Sequence, residues 1–126
     1  MISGNYINYG INFGSHKQFK RLFQVCAYSG QTFEPKDTKT LEHIVPQIRG
    51  GKKELPNLVV VKRSVNCLRS DTPLGEFMDK YPWVLENILK TLEELKGKVI
   101  DGVNWAQEVR VILFKETGKE VFNPNR

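Results

Sequence analysis

Residues 39–70, KTLEHIVPQIRGGKKELPNLVVVKRSVNCLRS, decide how the chain folds. Lys39 to Ile44 reads as a strand, and Pro46, which has no amide hydrogen to donate, ends it. Gln47 to Pro56 is a polar loop with Gly50 and Gly51 inside it. Leu58 to Val61 is short and β-branched, the pattern of a second strand. Lys62 to Ser70 then reads as a helix. Strand, loop, strand and helix can fold back on themselves. That return brings four polar side chains toward one point: Glu42 and His43 at the end of the first strand, Asn57 just before the second, and Asn66 about one turn into the helix.

Working outward, residues 1–14 are rich in Asn, Gly and Tyr and read as irregular. Ser15 is placed as the N-cap of a short helix whose Phe19, Leu22 and Phe23 share a face. Ser29-Gly30 lies between apolar pairs and predicts a hairpin or tight knuckle. Thr72-Pro73 reads as a helix start, with Thr72 as cap and Pro73 in the first helical position. Pro82 opens another helix. Its Leu85, Ile88, Leu89, Leu92 and Leu95 form one apolar stripe, with Gly97 where a C-cap belongs. Residues 103–122 read as a helix from Asn104, with VRVILF and EVF as a hairpin around Thr117-Gly118 the alternative. Trp83 and Trp105 are assigned to the core, and His16 to the surface.

The chain has 126 residues, the size of one domain, with 40% apolar and 26% charged residues. Both fractions are ordinary for a globular protein. No apolar run approaches the ~20 residues of a membrane span, and the first residues lack a basic-then-apolar signal pattern. A cytoplasmic protein is expected. Nineteen Lys and Arg against fourteen Asp and Glu give a net charge of +5, a balance that favours nucleic acid as partner. Cys26 and Cys67 are the only cysteines, too few for a four-thiolate zinc site. Both read as free thiols, at least partly buried.

The chemistry suited to Glu42, His43, Asn57 and Asn66 is phosphodiester hydrolysis. A neutral histidine can take a proton from water near physiological pH. A carboxylate and an amide oxygen are hard ligands that suit Mg²⁺ or Mn²⁺. Such an ion stabilises the charge growing on phosphorus oxygens and on the leaving 3′ oxygen.

Here the sequence resembles the HNH, or ββα-metal, nucleases. EHIVP, the Gly-Gly loop leading to ELPNL, and RSVNCLRSDTP carry the likeness, over residues 26–73. His43 to Asn57 is 14 residues and Asn57 to Asn66 is nine. The spacing is particularly similar to the HNH domain of RNA-guided CRISPR nucleases and to free-standing phage and bacterial HNH proteins. The resemblance implies that His43 is the general base, Glu42 the acidic metal ligand, usually Asp, and Asn66 a second ligand. It implies that Asn57 supports the loop and the histidine. Arg69, three residues after Asn66 and so on the same helix face, is expected to hold the scissile phosphate.

The chain departs from the family in two ways: Glu42, one methylene longer, stands where Asp is usual, and three of the four zinc-binding cysteines are missing. Many members hold a structural zinc with two Cys-x-x-Cys pairs. Here the four positions are Cys26, Ser29, Lys62 and Val65, so no zinc is expected and Tyr28, Phe33 and the C-terminal helices are expected to pack the knuckle. Strand neighbours also point to opposite faces, so for Glu42 and His43 to share a site the strand must twist or bulge. Arg49, Lys52, Lys53, Lys62 and Arg63 flank the proposed site and are expected to meet backbone phosphates, mostly without sequence preference.

Each residue alone has an ordinary explanation: a surface Glu-His pair, a turn asparagine, a buried amide, a solvated basic face. Their joint spacing favours the functional reading. The expectation is one α+β domain over residues 1–126: a zinc-free ββα-metal core, about 24–72, flanked by an N-terminal helix and a helical extension, about 73–126. It acts as a Mg²⁺- or Mn²⁺-dependent DNA endonuclease in a bacterial or phage-infected cytoplasm, nicking as a monomer. Double-strand cutting needs a homodimer or a protein partner. The alternative is an inactive DNA-binding or protein-binding factor on the same scaffold.

Overall fold

The computed structural model describes residues 13–119, with side chains from His16 onward. It is an α+β chain, with five α-helices and two small antiparallel sheets among the described residues. The centre is a ribbon of β1 (Lys39–His43) and β2 (Leu58–Lys62), paired from Lys39↔Lys62 to His43↔Leu58. The helix α2 (Arg63–Arg69) follows β2 directly and packs on the ribbon.

Leu58, Val59, Val60 and Val61 are all buried, so β2 is covered on both faces and reads as an unbroken apolar run. Its free edge is covered as well. The knuckle at residues 25–32 closes with Val25 bridging Thr32, and the Ala27 amide donates to the Val60 carbonyl at 3.0 Å. Covering an edge strand in this way blocks pairing with other chains. Cys26 Sγ accepts the Ser29 amide at 3.5 Å and the Lys62 amide at 3.3 Å. A single thiol therefore ties the knuckle backbone at Ser29 to the end of β2 at Lys62.

The helices hold the knuckle from outside. They are α3 (Leu74–Lys80), α4 (Trp83–Glu94) and α5 (Trp105–Thr117). Asn87 of α4 donates to the Tyr28 carbonyl at 2.8 Å, and Tyr28 packs against Phe77 of α3. Gly30 has φ +73°, and a Cβ there lies 2.7 Å from the Asn87 side chain, so only glycine fits. Phe33 lies under the Lys39 ammonium at 5.0 Å. Lys39 also donates to the Lys20 carbonyl in the last turn of α1 (Phe13–Arg21) and to the Phe23 carbonyl just beyond it, as basic groups do at helix C-termini. Phe19, Phe23 and Trp105 meet edge to face, with centroids 5.1 to 5.8 Å apart. Trp105 Nε1 donates to the Leu58 carbonyl at 2.8 Å, fixing α5 to the start of β2.

Several local expectations are corrected. α1 begins at Phe13, so Ser15 lies inside it. α3 begins at Leu74 with Pro73 flanking it, and Thr72 makes no side-chain cap; its carbonyl is used by Arg69 instead. α4 is capped at Leu95, and Gly97, with φ +84°, lies in the turn beyond. Residues 105–117 are helical, with Asn104 as N-cap. An unforeseen hairpin, β3 (Val99–Ile100) with β4 (Val103–Asn104), precedes them. Trp83 is half exposed, its ring tilted against Tyr81 with centroids 5.0 Å apart, because it opens α4 on the outer side. Cys67 is exposed on α2 while Cys26 is buried; both are free thiols. Residues 1–12 and the EVF segment at 120–122 lie outside the described residues. No described helix is long and apolar enough to cross a membrane.

Candidate active site

The geometry starts from matched spacings. Thr40 and Glu42 lie on one face of β1 because strand side chains alternate. Asn66 and Arg69, three apart, lie on one face of α2. The two faces meet: Asn66 Nδ2 donates to Thr40 Oγ1 at 3.2 Å, and Arg69 Nη1 donates to Glu42 Oε2 at 2.7 Å.

Arg69 is wholly buried, which corrects its expected role as a phosphate contact. Besides Glu42, its guanidinium donates to the carbonyls of His43 at 2.6 Å, Ile44 at 2.9 Å and Thr72 at 2.6 Å. A phosphate cannot reach it. It fixes instead the backbone on which His43 stands. Burial raises the Glu42 carboxyl above its ordinary value, and Arg69 pulls it back. The Tyr28 hydroxyl interacts with the same carboxylate without a well-formed hydrogen bond, and burial pushes that phenol well up.

Glu42, His43 and Asn66 line one polar cleft of about 350 Å³, together with Leu41, Pro46, Gln47, Ile48, Ser70 and Asp71. No bulge is needed to bring them together, since Glu42↔Val59 and His43↔Leu58 pair in regular register. His43 is the last strand residue, where the chain turns toward Pro46, and Leu41, Glu42 and His43 all line the cleft. His43 Nε2 is buried without a hydrogen-bond partner. Burial, then Lys53, then Arg69 lower the imidazole pKa below its ordinary 6.5, so the ring is neutral at physiological pH.

Asn57 is outside that cleft. Its Oδ1 accepts the Val45 amide at 2.9 Å, and its Nδ2 donates to the carbonyls of Val45 at 3.1 Å and Lys52 at 3.0 Å. Its own carbonyl accepts the Ile44 amide at 2.8 Å. Asn57 thus staples the loop and the backbone after His43 and touches no reacting atom. Gly51 completes the staple: a Cβ there lies 1.7 Å from the Val45 carbonyl oxygen.

The basic residues divide. Lys52 and Lys53 are exposed on the loop, and Lys53 acts electrostatically on both His43 and His16. Arg63 is exposed in the first turn of α2. Arg49 is on the loop and pairs with Glu116 of α5 at 2.8 Å. Lys62 does not join the site. It pairs with Asp37 at 3.1 Å at the other end of the ribbon, four ladder positions from His43, or about 13 Å. His16, expected at the surface, is half-buried, and its Nε2 is buried without a partner.

Sequence reasoning gave no role to Asp71 or Ser70. Asp71 is exposed on the cleft wall, close enough to raise the Glu42 pKa further. Ser70 has φ +52° and ψ −133°, a conformation costing about 1–3 kcal/mol outside glycine. The SD pair after Arg69 was the available signal, but the strain behind it is visible only in three dimensions.

The donor set fits a hard cation that keeps much of its own water. Asn66 spends Nδ2 on Thr40, leaving Oδ1 as the atom that would ligate such a cation, and Glu42 would add one carboxylate. Mg²⁺ is commonly bound through one or two carboxylates with several waters retained. Among the described residues, no three His, Cys, Asp or Glu side chains converge as a ready-made metal cluster. No family model, curated protein or solved structure matches the chain.

Proposed function

We propose that the chain is a divalent-metal-dependent endonuclease that hydrolyses DNA phosphodiester bonds on a ββα-metal core of the HNH type. The observation that carries the reading is the convergence of Glu42, His43 and Asn66 on one polar cleft, with the His43 Nε2 left without a hydrogen-bond partner.

In this mechanism the His43 imidazole removes a proton from water, and the resulting hydroxide attacks phosphorus. Glu42 and Asn66 would hold Mg²⁺ or Mn²⁺, and an ion there would supply Lewis-acid charge stabilisation at the phosphate and the leaving 3′ oxygen. Arg69 keeps the His43 carbonyl, and so the imidazole, in place. Lys53, Lys52 and Arg49 position the backbone; Arg63, whose amide donates to the Thr38 carbonyl, stands with Lys62 at the far end of the ribbon. Cleavage leaves a 5′ phosphate and a 3′ hydroxyl. One such centre cuts one strand, so a monomer nicks.

The test is cleavage of supercoiled plasmid with Mg²⁺ or Mn²⁺. Wild type is expected to convert it to the nicked form, and chelation of the metal or His43→Ala to stop conversion. Plasmid left intact by wild type in both metals counts against the reading. One observation favours a second reading, a DNA-binding protein without activity: Glu42 Oε2 is already held by Arg69, which weakens its pull on a cation. Under that reading the protein retards DNA in a gel and leaves it uncut.

A further inference from the structure

We propose that Ile48 is a wedge that enters a base step of bound duplex DNA, so that the protein selects DNA whose stack is already open or easily opened. The inference rests on the DNA-cleaving reading of the cleft and names its substrate class.

Three observations meet at this residue. Ile48 is the most exposed large apolar side chain described, at 77%. It lines the same cleft as Glu42, His43 and Asn66. It also stands at the centre of a 3₁₀ turn, Gln47–Arg49, held by backbone hydrogen bonds. The Pro46 carbonyl accepts the amides of Arg49 at 2.9 Å and Gly51 at 3.0 Å, and the Gln47 carbonyl accepts the Gly50 amide at 2.9 Å. Asn57 staples the base of the same loop.

A single exposed isoleucine is commonplace. Leu68, Val99, Val111 and Phe114 are exposed too, but none of them lines the cleft. Ile48 differs because Arg49, Lys52 and Lys53 stand on its own loop and attract a polyanion to it. A β-branched side chain is stiff about χ1, which suits a wedge. Apolar side chains presented among cations open base steps, and the unstacking, a few kcal/mol per step, is repaid by contact with the bent duplex. A step already weakened by a mismatch removes most of that cost.

The experiment uses the full chain with His43→Ala, which holds DNA without cutting it, in Mg²⁺. Binding is measured by fluorescence anisotropy for a short duplex, fully paired, and for the same duplex with one central mismatch. The mismatched duplex is expected to bind about 10-fold more tightly. Adding Ile48→Ala, a surface change that leaves the fold intact, is expected to make the two duplexes equivalent. Equal binding of both duplexes with Ile48 present overturns the wedge alone. So does a mismatch preference that survives Ile48→Ala. Failure to bind either duplex overturns the wedge together with the DNA-cleaving reading.

Discussion

Arg69 and Glu42 form the pair on which the site is built, and their burial makes each depend on the other. Removing one partner of a buried ion pair leaves an uncompensated charge. Arg69→Met is therefore expected to cost about 3–5 kcal/mol in chemical denaturation, and adding Glu42→Gln to recover part of that loss. A phosphate-binding surface arginine would show no such coupling. His43 is expected to contribute about 10²–10⁴-fold to the cleavage rate as general base. Its pH dependence has a defined sign. Because burial, Lys53 and Arg69 lower its pKa, the neutral base persists into acid, and the acid limb of the rate lies below pH 6.5. A bound cation pushes it the same way. A rate profile whose acid limb is centred above 6.5 contradicts this environment. At this scale the sequence showed which residues are polar and how they are spaced. It did not show which way Arg69 points. An arginine at i+3 from Asn66 faces the same side whether that side meets solvent or strand, and only the packing of α2 on β1 decides.

The loop between β1 and β2 is the element that gives the site its shape. Asn57→Ala leaves the Val45 amide and the carbonyls of Val45 and Lys52 without their partner, and a loss of about 1–3 kcal/mol is expected for such a buried group. Because the loop carries His43 at one end and Ile48 at its tip, cleavage should fall more than stability does, read as plasmid nicking against a urea titration of the same variant. Both ribbon strands and α2 were legible because β-branched runs, Pro46 and the Gly-Gly pair mark them directly. The β3–β4 hairpin was also written plainly. Asp101 and Gly102 have φ +53° and +80°, the two left-handed positions of a tight hairpin turn that favours Asp-Gly. It was missed because each arm has only two residues, too short to show alternation. The helix caps failed for a related reason. Thr72 satisfies the rule for an N-cap, but its carbonyl accepts from the buried Arg69 at 2.6 Å, and Pro73 stands at the cap of α3 instead.

Across the whole molecule, the net charge of +5 is not spread evenly in function. The loop lysines act on the cleft, while Lys62 is spent on Asp37 at the far end of the ribbon. The affinity for DNA should fall with salt, and Lys53→Ala should shallow the slope of log affinity against log salt by about 0.9. Lys62→Ala should leave that slope unchanged. Equal effects of the two substitutions would mean that charge acts as a uniform field and not through the cleft. Charge balance was readable from composition. Its placement was not, because which lysines are already paired depends on residues distant in sequence.

The central claim, that His43 is the base that activates water, is tested most directly by chemical rescue. In His43→Gly the ring is removed and its space left open. Plasmid nicking is expected to vanish and to return as imidazole is added, with a rate that rises with imidazole concentration and follows the titration of free imidazole. Nicking that persists in His43→Gly without imidazole, at the wild-type rate, would contradict the account.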